Sequence, residues 1–336
     1  MRQVFENDSP ILVMQPLLLP LIEMAEQRGV SSHKLLKGSR LFNEDLHQPN
    51  KRVSFNQVAQ IFDNAQTLLR QDGVSFLVAR HWLFSQPEAA FQALLNSRNL
   101  LDMSRVLQVR QAQIWPLMFF QSYRSANAHH FVVNPAIAQV SAPCMEFMAE
   151  FLIAVIDQLC RWRFDMVSHL TVKLPYTQPE HVEQYQSHLQ LQYHFSQPCF
   201  MVSVPTTYMY RPQTLALTSM RGFYLQQSKH AEAHVGFLQY VCSLLALNPK
   251  QSATELSECL GVSVATLKRK LKAHNTSLQL LKDQLQKQQA VIHISERGCS
   301  NEQVAQQLDY ADVTNFRRNF KRWTGMTPSE LRKLFN

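Results

Sequence analysis

Two stretches of the C-terminal third share one pattern, and that pattern limits the fold more than any other feature of the 336 residues. In the second stretch Ser300 is placed to cap a short helix whose Val304, Ala305 and Leu308 fall on one face, with Glu302 near the positive end of the helix dipole. Asp309-Tyr310-Ala311-Asp312 then breaks the period as a turn. A second helix follows in which Phe316 and Phe320 point inward while Thr314, Arg317, Arg318 and Lys321 point outward. The first stretch, Thr254 to Lys272, repeats the arrangement, with Ser257 at the helix crossing, Gly261 in the turn and Ser263 capping another basic helix. Leu267-x-Arg269-x-Leu271-Lys272 returns as Phe316-x-Arg318-x-Phe320-Lys321 at an offset of 49 residues, and the second turn is one residue longer. A solvated charged face has no reason to recur in one frame. Two helix-turn-helix units joined by a helix form an architecture for reading double-stranded DNA.

The expected units span about 253–273 and 300–322. The helix between them, Leu278 to Ile294, is roughly 17 residues or about 25 Å long, which with its flanks sets the outward helices about one DNA turn apart. Arg269 and Arg318 hold matching positions and either read guanine edges or clamp phosphate. Ala265, Lys268, Thr314 and Arg317 are the other base-edge candidates, and Lys272, Lys321 and Arg322 are assigned to phosphate. Charge agrees with this: more than half of the formal +8 lies beyond His230, as binding to a polyanion requires.

Length favours two domains, 1–229 and 230–336, with the polar segment Gln226 to Glu232 as the boundary and a helix from His234 to Leu247 opening the second. The fold class expected is an α+β N-terminal domain followed by an all-α domain. Six cysteines without a CxxC pair point to reduced thiols in a cytoplasmic protein, with neither a zinc site nor a disulfide framework. The apolar run Ile11 to Ile22 is too short and too interrupted to span a membrane. Phosphate-cradling glycine loops, a GxSxG elbow and an HExxH pair are all missing, so neither an enzyme nor a cofactor is expected. His129 and His130 are adjacent on a strand and face opposite ways, which makes them solvated turn-edge residues rather than metal ligands.

In the first domain, helical spacing predicts elements at 10–29, at about 31–36, at 55–70, and from Pro87-Glu88 through Phe91, Leu94 and Leu95 toward Val106. From Gln113 the period becomes that of a hairpin around Arg124-Ser125-Ala126-Asn127. A long helix is expected from Cys144 to Arg163, with Glu146, Glu150, Asp157 and Arg161 on a polar face. Strands at Ser168–Tyr176 and Cys199–Pro205 flank a helix begun by Pro179-Glu180. The aromatic residues Trp82, Phe84, Trp115, Phe119, Phe120, Tyr123, Phe147, Phe151, Trp162 and Phe164 either line an apolar pocket or form core.

The phrase Phe316-x-Arg318-x-Phe320-Lys321-Arg322-Trp323-Thr324-Gly325-Met326-Thr327-Pro328-Ser329-x-x-Arg332 resembles the signature that closes the DNA-binding domain of AraC/XylS-type transcription regulators. Three positions depart from that pattern: Asp309 stands where the family usually has Gly, Asn301 where Ile is frequent, and Gln286 where Arg is frequent. Aspartate tolerates the left-handed backbone such a turn demands. Leu174-Pro175, Pro179-x-His181, Tyr185 and Phe195-x-Gln197-Pro198 are similar to the N-terminal domain of the branch grouped with ornithine-utilisation regulators. Some relatives carry a Pro-Cys-His-Arg methyltransferase nucleophile, but Pro198-Cys199-Phe200-Met201 lacks its His and Arg, leaving Cys199 as a core residue. The resemblance implies a transcription activator that works with RNA polymerase, forms a homodimer if its N-terminal domain dimerises, and senses a small molecule there. An organic acid or amino acid held by an Arg or Lys at a pocket mouth is the first expectation for that effector, and a fatty acid the second. The alternative is a constitutive or partner-controlled DNA binder whose N-terminal domain only dimerises.

Overall fold

The computed structural model describes residues 3–48, 51–164, 169–231 and 234–334. Strand β1 (Gln3–Phe5) is followed by helices α1 (Gln15–Gln27), α2 (Ser32–Leu35), α3 (Asn43–Leu46), α4 (Phe55–Leu69), α5 (Val74–Phe84), α6 (Ala89–Leu95) and α7 (Leu100–Ile114). A Ser54–Gln57 capping box starts α4, and Val58, Ile61, Phe62, Ala65 and Leu69 form its buried stripe. The single helix predicted from Pro87 to Val106 is two. Asn99 caps α7 by accepting the Asp102 amide at 2.8 Å, a role for which Asn competes better than for helix interior. Helix α7 then absorbs residues from Gln113 that were expected to start the hairpin.

The hairpin strands are β2 (Met118–Arg124) and β3 (Ala128–Pro135), followed by α8 (Ala142–Phe164), β4 (Thr171–Lys173), α9 (Val182–His188), β5 (Gln192–His194) and β6 (Met201–Pro205). Ser168, expected to begin a strand, lies outside the described residues. The sheet order is β2-β3-β6-β4-β5, with β4 and β5 parallel and the other pairs antiparallel. Because side chains alternate across a sheet, Phe120, Phe131, Val202 and Val204 face inward onto a cavity beneath α7 and α8. Tyr123, Val132 and Met201 face the other way, into a second core shared with Ala290, Val291 and Ile294.

Helix α8 departs from the expected polar face. Glu150 and Asp157 are buried: Asp157 accepts the amides of Gln190 and Leu191 at 3.0 and 3.1 Å, so these carboxylates anchor the following loop and helix.

After α10 (Thr206–Met209) and α11 (Thr218–Gln227) comes β7 (His234–Gly236), which takes the first three residues of the helix expected from His234. It pairs in parallel with β1, joining the first residues of the chain to the start of its helical region. Gly236 is required there, because a Cβ would meet the Ala136 carbonyl oxygen at 2.2 Å. The helical region is α12 (Phe237–Leu247), α13 (Ala253–Cys259), α14 (Val264–Ala273), α15 (Leu278–Val291), a π-helical turn over Ile292–Glu296, α16 (Asn301–Gln307), α17 (Val313–Thr324) and α18 (Pro328–Lys333). Among the described residues no helix is long and apolar enough to cross a membrane.

Candidate nucleic-acid interface

The two helical hairpins α13–α14 and α16–α17 are built by the same local chemistry. Ser252 and Ser300 each accept the amide three residues on, and Glu255 and Gln303 each return a bond to the cap amide. Gly261 and Asp309 then turn the chain at φ +65° and +59°, and the next amides reach back to Ser257 and Ala305 at 3.0 and 2.8 Å. Ser257 and Ala305 are both buried, since only a small residue lets the helices cross closely. Ser263 and Asp312 cap the second helices, accepting from Thr266 and Asn315 at 3.1 and 2.6 Å. Leu267 and Leu271 in one unit, and Phe316 and Phe320 in the other, are fully buried beneath them.

All nine residues singled out for DNA lie on exposed faces. Ala265, Lys268, Arg269 and Lys272 make one stripe along α14, and Thr314, Arg317, Arg318 and Lys321 repeat it along α17, with Arg322 beside it. These cations are lightly held. Arg318 donates to Asn315 Oδ1 at 3.1 Å, Arg317 approaches Glu302 at 3.9 Å, and Arg322 pairs with Asp283 of α15 at 3.0 Å. Exposed pairs of this kind contribute about 0–1 kcal/mol and yield readily to phosphate. Gln286, the departure in the connector, accepts from Tyr310 of the turn at 3.3 Å, and Arg332 donates to the Cys299 carbonyl at 2.7 Å. The first contact fastens the second unit to the connector and the second ties α18 to the start of that unit, neither using its outward face.

The connector is clamped to the reverse of the sheet, which the sequence pattern did not reveal. Asn134 Oδ1 accepts from both Gln284 and Gln288 at 2.6 Å. Glu296, in the π-helical turn, accepts from Lys173 at 2.6 Å and lies 3.6 Å from His130. His130 is therefore not a solvated turn-edge residue: it is buried between Ser125 and Ser203 at 2.9 Å each, and burial holds its imidazole below the ordinary range. At the other unit, Glu6 meets Lys270 and lies 3.5 Å from His274, while Asn7 donates to the Ala273 carbonyl at 3.0 Å. The N-terminal segment thus holds the C-terminal end of α14.

Glu146, Glu150 and His181 bring ligand-type atoms within 4.8 Å of one another and are the described residues best arranged to hold a metal ion. Glu150, however, already accepts from Ser75, His181 and Tyr185 at 2.6, 2.6 and 2.9 Å, and Arg70 stands 3.3 Å from Glu146. Glu150 is thus engaged on all sides, whereas Glu146 Oε1 and His181 Nδ1 have no hydrogen-bond partner among the described residues. Cys199 is a core thiol, pushed up by burial to about 11.

Of the aromatic residues that the sequence offers for a pocket, Trp82, Trp115, Phe120 and Phe151 line the cavity of about 140 Å³ under the sheet, whereas Phe84 and Trp162 pack on each other at the surface. Among the described residues no charged side chain belongs to that lining, where an Arg or Lys was expected at the mouth. Cations instead border an open cleft between the sheet and α15, where burial lowers the affinity of Lys287 for its proton and Arg322 stands nearby.

The family models that match the chain agree with this architecture. Residues 29–213 match the family model described as the arabinose-binding domain of AraC transcription regulator, N-terminal, and residues 256–334 match a helix-turn-helix domain. The chain is 26% identical over 331 residues to the ornithine utilization regulator of Pseudomonas aeruginosa, covering 93% of this chain and 94% of that one. The crystal structure of transcriptional regulator CdpR from the same organism aligns over 94% of this chain and 97% of its own, at 17% identity and a TM-score of 0.44. With a family model matching more than half of its length, two helix-turn-helix units in place and an effector-type domain before them, the chain belongs to the AraC family of DNA-binding transcription regulators.

Proposed function

We propose that this regulator is a cytoplasmic activator in which residues 1–229 sense a small molecule and residues 230–336 engage a promoter beside RNA polymerase. The observation that carries the proposal is the double attachment of the DNA-reading region: Glu6 and Asn7 hold α14, and the sheet holds α15 and the π-helical turn. A ligand that moved the sheet would change the relative setting of the two recognition helices, and so the population able to bind both grooves at once. Arg269 and Arg318 are assigned to guanine edges, with Ala265, Lys268, Thr314 and Arg317 beside them on the base-reading faces. Lys272, Lys321 and Arg322 are assigned to phosphates. Transcription from the chain's own upstream promoter, reconstituted with purified RNA polymerase, tests activation. Added regulator should raise transcript yield, and the rise should depend on a cell-extract metabolite fraction. Repression, or activation indifferent to every fraction, would contradict the proposal.

A further inference from the structure

Beneath the sheet, α7 and α8 enclose a cavity of about 140 Å³. That is close to the roughly 150 Å³ at which an engineered apolar cavity stays dry and takes up benzene. We infer that this cavity binds a small, neutral, single-ring aromatic molecule carrying one hydrogen-bond acceptor. The inference deepens the effector reading above and rests on it for its regulatory consequence.

Among the described residues the lining carries no charged side chain. Its polar side chains already have partners: Ser104 donates to the Leu101 carbonyl at 2.8 Å, and Gln108 donates to Ser122 at 3.0 Å. Gln111 is used at both ends, donating to the Met118 carbonyl and accepting the Phe120 amide. A carboxylate, an ammonium or a sugar placed here would lose its hydration and find no charge and at most one free donor to replace it. The walls favour a ring. Trp115 stacks on Phe151 with centroids 4.7 Å apart, and Trp82 stands edge-on to both at 5.3 and 5.5 Å. These faces and edges complement another aromatic quadrupole. The buried Trp115 Nε1 has no hydrogen-bond partner among the described residues, and an acceptor on the ligand would satisfy it.

The cavity also adjoins the route to DNA. Phe131 and Val202 form its roof. Their strand neighbours Val132 and Met201 face the opposite side and pack with Val291 and Ile294 at the end of the connector. Filling the cavity therefore presses on the sheet that carries the connector.

Calorimetric titration and thermal unfolding of the full chain with toluene, anisole and benzoate test this. Toluene and anisole should bind and raise the unfolding temperature, with anisole about threefold to tenfold tighter for its one extra hydrogen bond. Trp115→Phe should bring anisole down to the level of toluene. Val155→Phe and Val204→Phe fill the space from opposite walls, so either one, if folded, should weaken toluene at least about tenfold. No binding of either neutral probe, or binding unchanged in a folded filled variant, overturns the inference. Benzoate binding that is lost in a folded Val155→Phe variant but survives Lys287→Met would put a charged ring in the cavity and overturns the neutrality of its ligand equally. Operator affinity, measured by fluorescence anisotropy on the same samples, separates the two levels. Neutral-probe binding with unchanged DNA affinity contradicts the effector reading alone, whereas metabolite-controlled DNA affinity without such binding contradicts the cavity assignment alone.

Discussion

Asp309 is the residue at which local geometry and family pattern meet. At φ +59° it occupies a conformation that costs a side-chain-bearing residue about 1–2 kcal/mol, less for Asp than for branched residues. Asp309→Gly should therefore raise the unfolding midpoint slightly, and Asp309→Val should lower stability by about 1–2 kcal/mol in denaturant titration. His274 gives a pH signature. Burial holds its imidazole below the usual 6.5, outweighing the pull of the Ile137 carbonyl and of Glu6. A ring kept neutral when folded means that the unfolded chain binds more protons, so this group favours folding fully above about pH 6.5 and progressively less as pH falls below it. Stability measured between pH 7.5 and 5.5 should fall with pH, and His274→Gln should reduce the slope. A slope unchanged in the variant would remove His274 from that role. On the DNA side, Arg318→Ala should cost about 1–3 kcal/mol and relax discrimination at one base pair, whereas Lys321→Ala should weaken all sequences alike and reduce the salt slope by about one. Uniform weakening by Arg318→Ala would make it a phosphate clamp.

Among the elements, the connector carries the most consequence, and its attachment to the sheet is open to direct test. Gln288 is buried, and with Gln284 it supplies the donors to Asn134 Oδ1. Gln288→Leu should cost about 1–3 kcal/mol, because the Asn134 amide then loses a buried partner. Urea titration reads the loss, and a variant as stable as the parent would show that water replaces the contact. What the sequence made legible, and what it hid, divides along the range of the interactions. The second helix-turn-helix was readable because its caps, its turn residue and the Phe316–Phe320 pair all act within a few residues of one another. The break between α6 and α7 was hidden, since Asn99 prevails over an apolar spacing that continues through it. Glu150 and Asp157 looked solvated on α8 because their partners, Tyr185 and the Gln190 amide, come from 33 to 35 residues away. The burial of His130 is hidden for the same reason: Ser203 and Glu296 reach it from other elements. Helix α5 is apolar nearly all round and offers little periodicity to detect.

Across the whole molecule, the first and last parts of the chain are tied together. Strand β1 pairs with β7 at the start of the helical region, and the residue just after it, Glu6, grips Lys270 of the first recognition helix. Both recognition stripes remain exposed while their backs are held, so the spacing between them is set by the sheet, the connector and the N-terminal segment together. Two such stripes on one chain should read two successive major grooves. Hydroxyl-radical footprinting of the protein on its operator, with the wild type and with Arg269→Ala and Arg318→Ala, tests it directly. The expected result is two protected segments about 10 base pairs apart on one face of the duplex, with each substitution relaxing sequence discrimination in a different segment. A single protected segment, or both substitutions acting on the same one, would contradict it.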